Sequence, residues 1–370
     1  TSKPWYARPS ALTGPRTALV IGGGLSGCAS ANSLARRGWQ VVLLERHERL
    51  AKEASGNPQG VLYLKLSAHG TALSQMIVCG FGYTRRVLEH LQRGRDWDDC
   101  GVLQLGFNAK EAERQAQLAA AFPSALVHLL DQPHAQTLAG VELAHGGLFY
   151  PEGGWVHPPA LCQFQALHPN IRVVTHQDVL QLNKVGGLWQ ACQGETVLAS
   201  APLVILAGAA EVKRFPASSG LPLKRIRGQI TQLVETPRSS ALKTVVCAEG
   251  YVAPGRLGEH TVGASFDFHN EDLTTTPEGH QGNLDLLADI SPDLVQRLAE
   301  QDLNPENLQG WAAFRCTSPD YLPIVGPLAD TAAFAHAYAA LGKDARQVPQ
   351  VQCPWLEGLY VNLSLIHISE

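Results

Sequence analysis

The sequence predicts an α/β fold: a parallel-sheet domain assembled from separate stretches of chain, with a second, α+β domain on an antiparallel sheet inserted into it. Three observations predict this. Residues 17–45 read as strand, glycine turn, helix and strand in close succession. A second continuous apolar run, Leu203 to Ala207, appears far along the chain and also ends on glycine, at Gly208. Between that run and the next, residues 221–268 alternate in polarity, as antiparallel strands do.

The first stretch carries the most chemistry. Thr17 to Ile21 is a short apolar run that reads as a buried parallel strand. Gly22, Gly24 and Gly27 follow at G-x-G-x-x-G spacing. Gly22 makes the tight turn, Gly24 lets the backbone approach a pyrophosphate, and Gly27 lets helix and strand pack closely. The helix is expected from about Ser26 to Arg37, with Gly38 as its stop. Its N-terminal turn, around Leu25 and Ser26, offers N–H groups and the positive dipole end to phosphate. A second strand, Gln40 to Leu44, ends on Glu45 and Arg46; the Glu45 carboxylate suits ribose hydroxyls. A lone glycine motif is weak evidence, but here strand, helix, second strand and terminal acid all fall in place. The Rossmann-like reading is therefore a dinucleotide site.

After Glu45 the segment Ala54-Ser55-Gly56-Asn57-Pro58-Gln59-Gly60 is dense in turn formers and predicts a polar loop that wraps a cofactor. Residues 71–95 predict a helix with a basic C-terminal end. A strand is expected over Cys100 to Phe107, a helix over Ala109 to Ala121, and a strand over Gly147 to Tyr150. Pro158-Pro159 opens a helix from Ala160 to about Leu167. Strands are expected at Ile171 to Thr175, Val179 to Asn183, Ile226 to Val234, Thr244 to Ala253 and His260 to Phe266, and one helix over 277–303. Ala207 and Gly208 sit where a strand end of a parallel sheet meets a ligand. The expected division is a linker over 1–15; a nucleotide domain over 16–70, 150–222 and 308–362; and a substrate domain over 71–149 and 223–307.

Composition narrows the class. Hydrophobic residues make up 45% and charged residues 17%, as in an ordinary globular protein, and no apolar run approaches the length of a membrane span. No membrane partner is expected. The first residues carry no apolar signal core, and their Pro- and Ser-rich start without Met reads as a linker from something larger. The eight cysteines include no C-x-x-C pair, which argues against a zinc site or redox dithiol and for reduced thiols in the cytoplasm. No metal is expected. A net charge of −4 argues against broad nucleic-acid binding but leaves room for a local basic patch.

The glycine motif and Glu45, the Ala207-Gly208 strand end, and the late run Arg315-x-x-x-Pro319-Asp320-x-x-Pro323-x-x-Gly326 together resemble the D-amino-acid-oxidase/glycine-oxidase superfamily of flavoproteins. Lys3-Pro4-Trp5-Tyr6, the ASGNPQGVLYLKLS loop and GGWVHPPALC narrow the resemblance to the C-terminal oxidase half of the bifunctional proteins that modify the tRNA wobble uridine. It covers nearly the whole chain. It implies an FAD-dependent oxidoreductase acting on a CH–NH bond, with FAD held by Gly22, Gly24, Leu25, Ser26, Gly27, Glu45, Arg46, Ala54, Ser55, Gly56, Asn57, Gln59, Gly60, Val179, Ala207, Gly208 and Arg315. It implies removal of the carboxymethyl group from 5-carboxymethylaminomethyl-(2-thio)uridine, leaving 5-aminomethyl-(2-thio)uridine and glyoxylate. It also implies two partners: the tRNA anticodon stem-loop with its modified wobble uridine, and a separate N-terminal S-adenosylmethionine-dependent methyltransferase domain.

Such chemistry needs a cation for the substrate carboxylate, and Arg315 is the first candidate because guanidinium pairs bidentately with carboxylate. Tyr63 and Lys65, just past the polar loop, are candidates to face the flavin; core packing is the other role for Tyr63. Gln229, with Arg227 and Gly228, is a candidate to line the substrate pocket. Cys316 is expected to be an inert buried thiol. For RNA phosphates the candidate clusters are Arg85-Arg86, Arg93 with Arg95, and Lys213-Arg214 with Lys224, Arg225 and Arg227.

The family pattern departs at the end. After Gly358-Leu359-Tyr360-Val361-Asn362, where a glycine-rich turn and a final helix are expected, residues 363–370 read LSLIHISE, which resembles translated sequencing adapter and predicts a non-native tail. Two other readings remain open: a free-standing glycine or sarcosine oxidase, and an inactive FAD-binding or tRNA-binding module.

Overall fold

The computed structural model describes residues 3–363. The tail from 364 on lies outside them, although Leu363, expected in that tail, completes the strand Trp355–Leu363 opposite Ile324 and is buried.

The described chain forms two compact units. The first runs through Lys52, returns over Cys162–Arg225 and again from Cys316; Glu53–Leu161 and Ile226–Arg315 make the second. In the first unit, β1 (Thr17–Ile21) is followed by α1 (Leu25–Ala35) and β2 (Gln40–Leu44). β1 is central in a six-stranded sheet ordered Ile324–Ala329, Trp355–Leu363, Leu203–Leu206, β1, β2, Ile171–Val174. Its neighbours run parallel to it, with Ala18 opposite Leu203 and Leu19 opposite Val42. Both faces are covered, so β1 reads as an unbroken apolar run. Ala18, Val20, Cys28 and Ala31 pack on the α1 side, and Leu19, Val204 and Leu206 pack on the other.

Residues 181–201 add a three-stranded antiparallel sheet, of which only the first strand is expected from sequence. That strand is Gln181–Val185, so Val179 precedes it as a buried loop residue. Gly186 and Gly187, both at positive φ, make the turn to Leu188–Gln193. Residues before β1 are not a loose linker. Trp5 stacks edge-on against Tyr338, and Trp355 donates to the Ala7 carbonyl.

The second unit is built on an eight-stranded, largely antiparallel sheet ordered Gln309–Thr317, Lys224–Val234, Glu259–Gly263, Tyr251–Val252, Val245–Cys247, Val102–Leu105, Gly147–Tyr150 and His128–Leu130. Two expectations are corrected here. Thr244 to Ala253 is two short strands, because Ala248 bonds to the Gly250 carbonyl and turns the chain. The single helix over 277–303 is two, Pro277–Ile290 and Pro292–Leu298, because Ser291 caps the second and Pro292 opens it. The helix after Thr71 ends at Leu88 rather than residue 95, and residues 92–97 instead form a turn in which Asp96 accepts the Gln92 N–H and Gly94 takes a positive φ.

The domain boundaries also move. Residues 53–70 and 150–161 lie in the second unit rather than the first. Gly60–Leu62 pairs with Gly154–Val156, and Val61 and Trp155 share a core with Val102, Tyr150 and Tyr251.

His260 lies at the heart of this unit. Its Nδ1 faces the Ala253 carbonyl at 2.9 Å and its Nε2 faces Ser239 at 2.9 Å. Burial lowers its pKa from the ordinary 6.5, so the folded imidazole stays neutral where the unfolded one takes a proton. Stability is therefore full above about pH 6.5 and falls as pH drops below it. Urea midpoints at pH 7.5 and 5.5 check this: the drop is expected to be smaller in His260→Gln than in the parent.

Candidate functional site

In the first unit the turn after β1 is closed by contacts that leave no room for side chains. Gly22 has φ +110°, and a Cβ on it would come within 2.6 Å of the Ala207 carbonyl oxygen. A Cβ on Gly27 would lie inside the Gly22 carbonyl. Gly23, which the motif leaves unspecified, is equally constrained: its Cβ would sit 2.7 Å from Glu45 Oε2. Gly24 begins α1 and supplies no side-chain cap. Ala207 donates to the Ile21 carbonyl, which fixes the second strand end beside the turn, and Gly208 leads into a short 3-10 helix.

Glu45 does more than its sequence position implies. Its Oε2 accepts the Gly23 N–H at 2.8 Å and its Oε1 accepts the His47 N–H at 2.9 Å, and the residue is buried. Each carboxylate oxygen keeps a further lone pair for a ribose hydroxyl. Arg46 pairs with Glu211 at 3.5 Å. Arg214 donates to Asp178 and to the Val179 carbonyl, which holds Val179 in place. Sequence reading missed Asn362: its side-chain amide donates to Ser30 Oγ at 2.9 Å and to the Ser26 carbonyl at 3.4 Å, at the start of α1.

The expected cofactor loop belongs to the second unit, where Ala54–Gly56 is a single 3-10 turn. Asn57 and Gln59 face inward rather than toward a ligand. Asn57 donates to the Tyr251 hydroxyl; the Gln59 amide donates to the Pro254 carbonyl and accepts from Thr261 at 2.9 Å. Tyr251, which no motif marks, donates to the Gln59 carbonyl at 3.0 Å. Burial pushes its pKa up to about 12, so it keeps its proton at working pH. These bonds clamp the loop at Asn57 and Gln59, and Gly60 begins the strand that pairs with Val156.

Arg315 is buried in the same unit. Its guanidinium carbon lies 4.3 Å from the Phe266 ring centroid, and Nη1 donates to the Ser265 carbonyl at 3.3 Å. Gly228 makes space for it, since a Cβ there would fall 2.8 Å from Arg315 Cζ. Gln229 is corrected from substrate contact to support. It is fully buried, donates to the Thr276 carbonyl at 2.9 Å, and accepts the Thr276 N–H at 2.9 Å and Arg227 Nη2 at 3.2 Å. Arg227 is likewise interior, bonded to the Asp272 and Thr274 carbonyls. Tyr63 packs edge-on against Tyr150 at 5.5 Å, and Lys65 is exposed.

Most of the expected RNA clusters are neutralised internally. Arg85 pairs with Asp99 and Glu152, Arg93 with Asp98 and Asp99, Arg95 with Asp96, and Arg214 and Arg225 with Glu211. Cys316 is buried and its thiol is pushed up to about 11 by burial, which makes it unreactive. Among the described residues no His, Cys, Asp or Glu cluster is suited to a metal, and no helix is long and apolar enough to cross a membrane.

A βαβ turn with glycines at three crowded positions and a buried acid behind it defines a dinucleotide-binding oxidoreductase scaffold. Residues 17–356 match the family of FAD dependent oxidoreductases named DAO, and the chain belongs to that family. It is 73% identical over 361 residues to the tRNA 5-methylaminomethyl-2-thiouridine biosynthesis bifunctional protein MnmC of Pseudomonas fluorescens, covering 98% of this chain and 55% of that protein. The Pseudomonas putida protein of the same name is 72% identical over 359 residues, with 97% and 55% covered. The chain thus spans about half the length of these curated relatives. Among solved structures, glycine oxidase from Bacillus cereus aligns with a TM-score of 0.70 at 19% identity, covering 93% of this chain and 90% of that one. L-proline dehydrogenase from P. horikoshii aligns at 0.71 and 15%, covering 95% and 89%. These likenesses show a shared fold.

FAD fits the first unit: the crowded glycine turn can take a pyrophosphate but no side chain, and Glu45 keeps acceptor capacity for ribose. Gly27→Ala is expected to be purified without the yellow flavin colour, as measured by the FAD-to-protein absorbance ratio. Gly228→Ala is expected to keep its flavin but raise KM for a carboxylate substrate, because Arg315 must shift.

Proposed function

We propose that this chain oxidatively removes the carboxymethyl group from 5-carboxymethylaminomethyl-(2-thio)uridine at the wobble position of tRNA, leaving 5-aminomethyl-(2-thio)uridine and glyoxylate. The observation that carries the reading is 73% identity, across almost the whole chain, to a protein named for the biosynthesis of 5-methylaminomethyl-2-thiouridine, the N-methyl derivative of that amine product. The relatives' remaining length and the word bifunctional fit a second domain that works on the amine product; we assign it S-adenosylmethionine-dependent methylation. Its reduced cysteines fit the cytoplasm.

The substrate is an N-substituted glycine. Bound FAD supplies the electron acceptor for a hydride leaving the carbon between amine and carboxylate, and water then splits the resulting imine into amine and glyoxylate. The first unit holds the dinucleotide through Gly22, Gly24, Gly27 and Glu45. In the second, Arg315 binds the substrate carboxylate and so orients the C–H bond that breaks. Phe266 and the Ser265 carbonyl fix its guanidinium, and Gly228 leaves it room. Gln229 and Arg227 hold the 272–276 segment, and Tyr251 holds the loop at Gln59. Tyr63 and Lys65 follow that loop in the second unit, where Tyr63 packs on Tyr150.

Arg315→Met tests this assignment. It is expected to keep FAD but lower kcat/KM for tRNA bearing the carboxymethylaminomethyl group by roughly 100-fold, since a buried charge loses its partner. Glyoxylate release and nucleoside analysis of the digested tRNA give the readout. Parent protein that releases glyoxylate from glycine but leaves the tRNA nucleoside unchanged would favour the small-amine oxidase reading instead.

A further inference from the structure

We infer that one edge of the first unit, where the strands of its parallel sheet begin, docks the phosphate backbone of RNA through Arg8, Arg16, Arg36 and Arg37. This rests on the tRNA reading above and locates a surface for it. Four hydrogen bonds gather these residues at one edge. The β2 residue Gln40 donates to the Arg16 carbonyl at 2.8 Å, and Arg16 Nη1 donates to the Arg37 carbonyl at 3.3 Å. Asn170, just before the edge strand, donates to the Ala35 carbonyl at 3.4 Å. Trp355, which begins its strand, donates to the Ala7 carbonyl at 3.2 Å and so places Arg8 on the same side.

Charge is segregated here. The chain carries a net charge of −4, yet its first carboxylate is Glu45, and none occurs between Glu152 and Asp178. Around Arg16, Arg36 and Arg37 the edge is built from these two acid-free stretches; on the Arg8 side it includes the start of the Trp355–Leu363 strand, where Glu357 is paired with Lys184. All four arginines are exposed, and among the described residues none of them forms an ion pair. Arg85, Arg93, Arg95, Arg214 and Arg225 instead each sit against a carboxylate. Favourable interaction with the C-terminal dipole of α1 accounts for Arg36 and Arg37 but not for Arg8 or Arg16. The glycine turn lies at the opposite end of β1, about 17 Å away for five residues of strand, so the edge is clear of the dinucleotide. Exposed guanidinium groups without acidic partners suit phosphates, which position an RNA without reading its sequence.

The test compares FAD-bound parent protein with Arg8→Gln/Arg16→Gln/Arg36→Gln in fluorescence-anisotropy titrations of labelled tRNA over graded salt. The triple variant is expected to bind at least about tenfold more weakly at low salt. Its slope of log affinity against log salt should be smaller by about 1 for each arginine removed. FAD content and urea midpoint should match the parent. Arg8→Lys/Arg16→Lys/Arg36→Lys should keep most of the slope, and Arg93→Gln, which loses a group already paired, should change little. Unchanged tRNA affinity and slope in the glutamine variant overturn the inference while leaving the substrate assignment standing. A parent protein that holds FAD but neither binds nor oxidises tRNA bearing the carboxymethylaminomethyl group overturns both.

Discussion

The fold of the first unit depends on an approach of backbone to backbone that only glycine permits. The start of α1 lies so close to the end of β1 that a methyl group on Gly27 would occupy the Gly22 carbonyl, and one on Gly22 would press on Ala207. The glycine turn and a strand end far along the chain, at Ala207, thereby meet at one point. Glu45 reinforces this junction from below by accepting the Gly23 amide, so the residue that suits a ribose also braces the turn that suits the phosphates. Binding geometry and folding are the same contacts here.

The second unit solves a different problem, that of keeping a cation inside the protein in a defined pose. Arg315 lies across the Phe266 ring and against a backbone carbonyl, in space vacated by Gly228. Beside it, Arg227, Gln229, Thr276, Thr231, His280 and Asn283 form a buried hydrogen-bonded framework that fixes the 272–276 segment. The Gln229 amide is engaged at both its oxygen and its nitrogen, whereas the buried Asn283 Oδ1 accepts no hydrogen bond, so the framework is tightest at Gln229 and Thr276. Tyr251 and Thr261 extend the same strategy to the Asn57–Gln59 loop.

The nucleotide half was legible because local and tertiary signals coincide there. β1, β2 and the Leu203–Leu206 strand are short apolar runs with both faces buried, and the glycine spacing marks the turn. What was not legible depends on partners distant in the chain. The loop at 54–60 reads as a polar loop that wraps a cofactor, yet Asn57 and Gln59 turn inward because Tyr251 and Thr261 meet them, and nothing local to either segment announces this. Gln229 looked like a pocket residue because it follows Arg227 and Gly228 on one strand, but its partner Thr276 lies in a segment that reads only as loop. Basic pairs such as Arg93 and Arg95 read as a surface for anions, but the turn after them brings Asp96, Asp98 and Asp99 against the guanidinium groups and neutralises them. Arg16 and Arg37 meet only once the βαβ unit has folded.

The central claim is that this chain is a flavin oxidase whose electrons come from a carboxymethylaminomethyl group on tRNA. The most direct measurement is the anaerobic flavin spectrum during titration with tRNA bearing that group. Bleaching of the oxidised band at one equivalent of modified nucleoside, with no bleaching by tRNA lacking the modification, is the predicted result. A band that persists with modified tRNA but bleaches with glycine would contradict the account.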